Sequence, residues 1–182
     1  MNNDIVITHA VIEDVDGINE VQRLTWLETY PNKFLGITKE DIEKKTSEIF
    51  KKEEVEKLKK KIKQDPSAYI LVAKDRKKMV GYIGVAKGDT MNIIGGLHVM
   101  PDYQGKGIGR GLMKKGMKWL GDEKRVSLHV IAYNKRAIEF YTSYGFVENG
   151  PVTDHPIILD KGSILPTIEM IKDPHHLAFS KK

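Results

Sequence analysis

The sequence predicts an α/β or α+β fold built around a mixed sheet. Two observations identify the elements: short apolar runs typical of strands, and longer stretches whose apolar residues recur every three or four positions, as in helices. A third is their order, which is one strand, two or three helices, three strands, a helix, a strand, a helix and two strands. The length of 182 residues suits one compact core, so we expect a single domain over residues 1–182.

Composition restricts the classes of function. Hydrophobic residues make up 40% and charged residues 30%, as in folded globular proteins. The chain has no cysteine, which excludes disulfides, thiolate metal sites and a cysteine nucleophile. With no visible secretory signal and no apolar run that could span a bilayer, we expect a cytoplasmic protein without a membrane partner. The net charge of +5 suits a polyanionic ligand and equally an ordinary charged surface.

In the first third of the chain, the sequence predicts one strand followed by helices. Residues 5–7 are apolar and form a short strand. A helix is expected from about Glu13 to Tyr30, because its apolar residues share one face: Val15, Ile18, Val21, Leu24 and Leu27. Thr38 precedes Asp41 by three residues, which is the pattern of a capped helix start.

Residues 51–63 read KKEEVEKLKKKIK and favour an amphipathic helix. Val55, Leu58 and Ile62 lie on one stripe, and lysines and glutamates cover the remainder. No aromatic residue interleaves with the lysines, so we prefer a solvated helix to a nucleic-acid surface. A nucleic-acid binder remains the third alternative, and it would require salt-dependent binding to DNA or RNA.

The remaining elements follow from apolar runs and from the breaks between them. We expect strands over approximately residues 69–73, 79–86, 91–100, 126–131, 146–147 and 164–171. We expect helices over approximately residues 107–120 and 134–144. Asn134 can cap its helix and Gly145 can terminate it. Pro166 is expected at a strand start or a bulge, and residues 149–163 are expected to form a long loop.

A glycine-rich turn between a strand and a helix gives the sharpest functional signal. Residues 97–112 read LHVMPDYQGKGIGRGL. Glycines let successive main-chain N–H groups converge, and the unpaired N–H groups and dipole of a helix start favour a phosphate. Lys106 and Arg110 add positive charge, so a pyrophosphate is the natural occupant.

Two better-known phosphate motifs do not fit these residues. The Walker motif needs Ser or Thr after its Gly-Lys pair, and here Gly107 follows Lys106. The dinucleotide motif needs a third glycine three residues after the second, and those positions hold Arg110 or Leu112. A turn whose glycines serve only packing is disfavoured, because four glycines alternate over seven residues at a helix start.

The turn resembles the acyl-CoA signature of the GNAT N-acetyltransferase superfamily, Gln/Arg-x-x-Gly-x-Gly/Ala, through Gln104, Gly107 and Gly109. A second block resembles the family at the expected distance: residues 134–141 read NKRAIEFY, and Gly-Phe follows at 145–146. The resemblance implies a mostly antiparallel sheet of about six or seven strands, with a splayed parallel central pair and helices on both faces. It implies an acetyl-CoA-dependent N-acetyltransferase.

The resemblance also implies which residues hold acetyl-CoA. The pantetheine arm is expected between the splayed strands, against main-chain groups of Leu97 and Val99 and near Asn134. Arg136 reaches the adenosine end or is a solvated helix charge. The pyrophosphate is expected on the turn and the helix start, formed by Gln104, Gly105, Lys106, Gly107, Ile108, Gly109 and Arg110.

The resemblance makes Tyr141 the general acid that protonates the leaving thiolate. The base is harder to place, because the family positions for a Glu or His on the preceding strand hold Ile93 and Gly95. We interpret His98 as a structural histidine, and solvent or a water chain can accept the proton instead. No metal site is expected, since adjacent histidines at 175–176 alone do not form one.

The acceptor region is expected at the end of the first helix, at Trp26, Glu28 and Tyr30, in a segment that resembles acetyltransferases of polyamines and other small amines. Acidic residues such as Asp154 and Glu169 suit a cationic acceptor. A protein N-terminus or lysine is an alternative acceptor, and a non-catalytic acyl-CoA-binding regulator is an alternative function. A homodimer is expected only by analogy with relatives.

Overall fold

The computed structural model describes residues 5–154, 156–160 and 162–174. Nine strands occur in this part of the chain: β1 (Ile5–His9), β2 (Ala68–Asp75), β3 (Lys78–Ala86), β4 (Met91–Val99), β5 (Arg125–Ile131), β6 (Val147–Pro151), β7 (Ile157–Ile158), β8 (Ile164–Leu165) and β9 (Thr167–Lys172). The α-helices are α1 (Val15–Thr29), α2 (Lys39–Ser47), α3 (Lys52–Gln64), α4 (Ile108–Leu120) and α5 (Lys135–Thr142). The predicted order of strands and helices is confirmed as far as α5, after which the chain forms four strands, β6 to β9, instead of the two expected.

Seven strands form one mixed sheet in the order β1-β2-β3-β4-β5-β9-β6. Neighbouring strands are antiparallel except for the central pair β4 and β5, which is parallel. The parallel pairing runs from Met91 opposite Arg125 to Ile94 opposite Leu128. Both strands continue beyond this point without pairing to each other, so the sheet opens in the middle, as the family resemblance predicts.

Helices cover both faces of the sheet. We call one side the α4 face, where Leu112 and Met113 of α4 and Tyr141 of α5 join the largest apolar cluster. On the opposite side, the α1 face, Ile18 and Val21 of α1 are buried against β2 and β3. Burying such apolar faces is the main stabilising contribution of the packing.

The cap of α2 and the charged surface of α3 agree with the predictions from the sequence. Thr38 caps α2: its hydroxyl accepts a 3.1 Å hydrogen bond from the N–H of Asp41, and the Asp41 carboxylate accepts from the N–H of Thr38 at 2.9 Å. On α3, lysines pair with glutamates on the same helix, as Lys59 does with Glu56 at 2.9 Å. These contacts are those of a solvated amphipathic helix.

The last predicted strand is correct only in part. Residues 164–171 were expected to close the main sheet with Pro166 at a strand start or a bulge, and Pro166 does directly precede β9, but residues 164–165 form a separate strand, β8, outside the main sheet. β8 pairs with β7 in a separate hairpin, while β9 lies between β5 and β6 in the main sheet. Proline has no N–H to donate, and its carbonyl accepts instead from the N–H of Ala132 at 2.8 Å. The predicted loop over 149–163 therefore contains the end of β6 and all of β7.

Candidate functional site

The opening between β4 and β5 exposes main-chain groups of β4. The N–H of Met100 donates to the carbonyl of Val80, which makes 80 and 100 a hydrogen-bonded pair. In an antiparallel ladder such pairs alternate, so Leu97 and Val99 direct their main-chain groups away from β3, towards the opening. The register of β4 against β3 shifts around Gly95, just where the pairing with β5 stops.

The glycine turn presents a row of unpaired N–H groups at the start of α4. Gly105 and Gly107 have φ values of 77° and 83°, which favour glycine. Within the described residues, the main-chain N–H groups of 105–110 have no hydrogen-bond partner, and that of Gly111 bonds to the carbonyl of Gly107. The N–H of Gln104 is not part of this row, because it donates to the carbonyl of Pro101 at 3.1 Å.

The same turn has the space and the charge that a diphosphate needs. A methyl group built on Gly105 or Gly107 would meet no atom within 4 Å, so the main chain is accessible to a ligand. Lys106 and Arg110 are exposed there, and Lys106 lies 4.8 Å from the centre of the Tyr103 ring. Free N–H groups, the dipole of a 13-residue helix and two cations together fit the diphosphate of a CoA thioester.

The Gln104 side chain connects the glycine turn to β4 on one side and to α5 on the other. Its Nε2 donates a 2.9 Å hydrogen bond to the carbonyl of Val99. Its Oε1 accepts a hydrogen bond from the guanidinium of Arg136, on the first turn of α5. Arg136 is therefore not a free solvated charge, and the carbonyl of Val99 is already occupied. The open main-chain groups of β4 are then those of Leu97 and the N–H of Val99.

Asn134 and Tyr141 belong to α5, on the other side of the opening. Asn134 caps the helix, since its side chain accepts from the N–H of Ala137 at 3.2 Å. The ring of Tyr141 is buried against Phe140 and Phe146, and its hydroxyl has no hydrogen-bond partner among the described residues. Burial raises the pKa of Tyr141, which keeps the phenol protonated and able to donate.

Two of the three expected acceptor residues come together. Trp26, in the last turn of α1, and Tyr30, the first residue after that helix, pack edge to face with ring centres 5.0 Å apart. They belong to what we call the α1-end cluster, formed by Trp26, Leu27, Tyr30, Ile37, Ile42, Ile131, Tyr133, Ile157, Leu159 and Leu165. Glu28 is exposed and does not belong to this cluster.

Tyr133, which the sequence did not single out, ties the loop after β5 to α1. Its hydroxyl donates a 2.6 Å hydrogen bond to the carbonyl of Tyr30. Burial raises the pKa of Tyr30 to about 12, with a further increase from Tyr133, while a hydrogen bond with Asn134 lowers it. Tyr30 is therefore a neutral phenol between α1 and α5.

His98 lies on the α1 face, beneath α1. Its Nδ1 is 2.9 Å from the hydroxyl of Thr25, and its ring stacks on Tyr82 at 5.2 Å. Tyr82 in turn donates to Gln22 at 2.9 Å. Burial lowers the pKa of His98 to about 4, so the ring is neutral at pH 7. These contacts fix His98 between α1 and the sheet.

A polar network on β5, β9 and β6 also escaped sequence reasoning. The carboxylate of Glu169 accepts from Ser127 at 2.5 Å and from Asn149 at 2.6 Å. These hydrogen bonds, Ser127 first, hold the pKa of Glu169 below its ordinary value, and the charge of His129 lowers it further. His129 lies directly opposite Glu169 in the β5–β9 register. No local motif marks these residues, because only the pairing of distant strands brings them together.

Within 5–154, 156–160 and 162–174, no three His, Asp or Glu side chains converge as metal ligands. The histidines at 155, 175 and 176 lie outside the described residues. None of the described helices is both long enough and apolar enough to cross a membrane.

Residues 22–146 match the model of the acetyltransferase (GNAT) family. The chain belongs to the GNAT acetyltransferase family. The match includes the glycine turn, the opening between β4 and β5, and the block that begins at Asn134. No curated protein sequence matched this GNAT chain.

Solved structures resemble the chain over most of its length. The PaiA N-acetyltransferase from Thermoplasma acidophilum, in complex with coenzyme A, is 25% identical, with a TM-score of 0.73 over 93% of this chain and 98% of its own. The spermidine N-acetyltransferase from Vibrio cholerae, with CoA and spermine, is 18% identical, with a TM-score of 0.65 over 95% and 97%. The ribosomal-protein-S18-alanine N-acetyltransferase from Escherichia coli is 17% identical, with a TM-score of 0.63 over 93% and 94%.

The family and the first of these structures settle the class of reaction. This GNAT protein is an acetyl-CoA-dependent N-acetyltransferase, and acetyl-CoA is its co-substrate. The predictions of family, fold, enzyme class and co-substrate are thereby confirmed.

Proposed function

We propose that the protein transfers the acetyl group of acetyl-CoA directly to a primary amine of a small molecule such as a polyamine, with residues 1–182 acting as one acyl-CoA N-acyltransferase domain. The observation that carries this proposal is the row of unpaired N–H groups at 105–110 beside the opening between β4 and β5. That arrangement suits a ligand with a diphosphate at one end and an amide-containing arm at the other.

The cofactor-binding roles divide between the turn and the strand. The N–H groups of residues 105–110, with Lys106 and Arg110, bind the diphosphate. Leu97 and the N–H of Val99 pair with the amides of the arm, as an additional strand would. Gln104 holds the turn in place, and Asn134 flanks the arm from the start of α5.

The chain's own residues supply the proton transfers and the orientation. Bound acetyl-CoA supplies an activated thioester. A free alkyl amine has a pKa of about 10.4, so roughly one in a thousand is neutral at pH 7, and a proton must be removed before attack. Main-chain N–H groups of β4 stabilise the developing oxyanion. The protonated Tyr141 hydroxyl then donates to the departing sulfur.

Small amines are the favoured acceptors for two reasons. The PaiA N-acetyltransferase, at 25% identity, aligns with nearly all of this chain, and a spermidine N-acetyltransferase with bound CoA and spermine has the same fold. In addition, the aromatic rings of Trp26 and Tyr30 pack together in the α1-end cluster, and the strand register places Glu169 on the same face of the sheet. Aromatic faces and a carboxylate are complementary to an alkyl ammonium group.

Acetyl transfer to an amine panel tests the proposal. Purified protein and acetyl-CoA are incubated with spermidine, spermine, a simple diamine, peptides with a free N-terminus and lysine peptides, and products are identified by mass spectrometry. We expect acetylated polyamine or diamine to form faster than acetylated peptide. Faster peptide acetylation would support a protein acetyltransferase, and tight acetyl-CoA binding by calorimetry without transfer would support a regulator.

A further inference from the structure

We propose that His129 is the general base of this enzyme, with Glu169 as the residue that stabilises its protonated form. This inference rests on the proposed function, since it names the group that removes the proton from the acceptor amine. His129 has no part in the binding roles assigned above.

The position of His129 follows from the strand register. The last paired residues of the parallel strands are Ile94 and Leu128, so His129 is the first residue of β5 beyond the point where the strands part. The next residue of β4 is Gly95, which carries no side chain. A side chain on β5 at this level therefore borders the opening without competition from β4.

The His129 side chain lies on the α1 face. Val126, Leu128 and Val130 of β5 are buried in the cluster of the α4 face. Alternation along the strand therefore places His129 and Ile131 on the opposite face. Ile131 packs in the α1-end cluster with Trp26 and Tyr30, which the proposed function assigns to the acceptor. His129 therefore lies where the strands part, on the face of the sheet that carries the acceptor residues and two positions before Ile131.

His129 is better suited to act as the general base than the other two candidates, His98 and Glu28. It is exposed and makes no hydrogen bond with the described residues, so its ring nitrogens are available to an amine or a water molecule. His98 is held by Thr25 and stacked under α1. Glu28 is exposed outside the α1-end cluster. Histidine is also the side chain best suited to exchange protons near neutral pH.

Glu169 is built to support a positive charge on His129. The two residues are direct cross-strand neighbours, and both oxygens of the carboxylate are held by Ser127 and Asn149. A carboxylate fixed in this way stays ionised and keeps its place beside the imidazole. Glu169 is therefore a positioning residue that acts through His129.

The proton balance closes without another reactant. The acceptor nitrogen loses two protons between the ammonium and the acetamide. His129 accepts the first and passes it to solvent, which frees the lone pair for attack, and it accepts the second as the C–N bond to the acetyl carbon forms. The C–S bond breaks, and Tyr141 supplies a proton to the sulfur. His129, being exposed, returns its proton to solvent, and the phenol regains one from solvent. The products are the acetamide and the free thiol.

Kinetics with matched histidine variants test the proposal first. We expect His129→Ala to lower kcat by on the order of 10²-fold, with an unchanged Kd for acetyl-CoA by calorimetry, and added imidazole to restore part of the rate. His9→Gln is the control, because His9 is an exposed histidine on the far edge strand β1. Wild-type kcat in His129→Ala would overturn the inference and leave the proposed function standing.

A binding measurement without turnover tests whether the amine contacts His129 directly or the His129 substitution affects the rate indirectly. In an NMR titration with CoA present and no acetyl donor, adding spermidine should shift the ring resonances of His129 and leave those of His9 in place. Unmoved His129 resonances with a bound amine would overturn the assignment. If the wild type transfers acetyl to no amine tested, the proposed function and this inference fail together.

The role of Glu169 has its own test. Glu169→Gln should lower kcat by about tenfold with an unchanged KM for acetyl-CoA, and it should have no further effect when combined with His129→Ala. A purely structural role for Glu169 predicts instead that the two losses multiply. Multiplying losses would therefore remove Glu169 from the mechanism.

Discussion

The side-chain nitrogen Nε2 of Gln104 donates a 2.9 Å hydrogen bond to the main-chain carbonyl of Val99, which connects the glycine turn to the last residue of β4. The two proposed binding surfaces, the free N–H groups of the turn and the open edge of β4, therefore keep a fixed spacing. A ligand that spans both needs little rearrangement of the main chain, which lowers the cost of binding.

Tyr141→Phe tests the general acid. The hydroxyl has no hydrogen-bond partner among the described residues, so its removal should leave stability nearly unchanged. We expect kcat to fall by on the order of 10²-fold because the thiolate loses its proton donor. Tyr144→Phe, two residues beyond the end of the same helix, is the control. A Tyr141→Phe enzyme with full activity would remove this residue from the mechanism.

Gly107→Ala tests the proposed diphosphate site formed by the N–H groups of residues 105–110. Gly107 has a φ of 83°, where an L side chain is strained, and it precedes the first turn of α4. We expect the affinity for CoA, measured by calorimetry, to fall by about tenfold or more. Gly109→Ala is the matched control, because its methyl group would meet only ordinary contacts with Val99 and Phe140 at 3.8 and 3.9 Å. Equal losses in the two variants would contradict this account.

Arg110→Ala tests the electrostatic part of CoA binding. Arg110 is exposed in the first turn of α4, beside the unpaired N–H groups. Its removal should weaken CoA binding by about tenfold at low salt and by less at high salt, since exposed charges are screened. Lys114→Ala, one turn further along the helix, should have little effect. An identical loss at every salt concentration would argue against a charge contact.

His98 predicts a pH dependence of stability. Its pKa is about 4 in the folded protein and about 6.5 in the unfolded chain, so the unfolded state binds the extra proton first. The free energy of unfolding should therefore decrease as the pH falls from about 6.5 to about 4. His98→Gln should flatten this part of the profile in urea titrations at several pH values. His9→Gln is the control, and an unaltered profile in His98→Gln would refute the buried neutral histidine.

The sequence was sufficient for most of the fold. The helical spacing of Val15, Ile18 and Val21 predicts α1, and the glycine turn with the block at Asn134 predicts the family, because these signals are local. The interruption at Pro166 was expected, but the different partners of β8 and β9 were not, since an apolar run does not reveal which strands its two halves pair with. The contact between Ser127 and Glu169 was missed for the same reason, as 42 residues separate them.

Pro166 has a consequence for how such enzymes diversify. It marks a boundary between the β7–β8 hairpin, which contributes Ile157 and Leu165 to the α1-end cluster, and β9, which belongs to the main sheet. Replacement of the hairpin would leave the ladder of β9 and the glycine turn untouched. Evolution or an engineer could therefore exchange this segment to alter amine preference while the machinery that handles CoA is inherited intact.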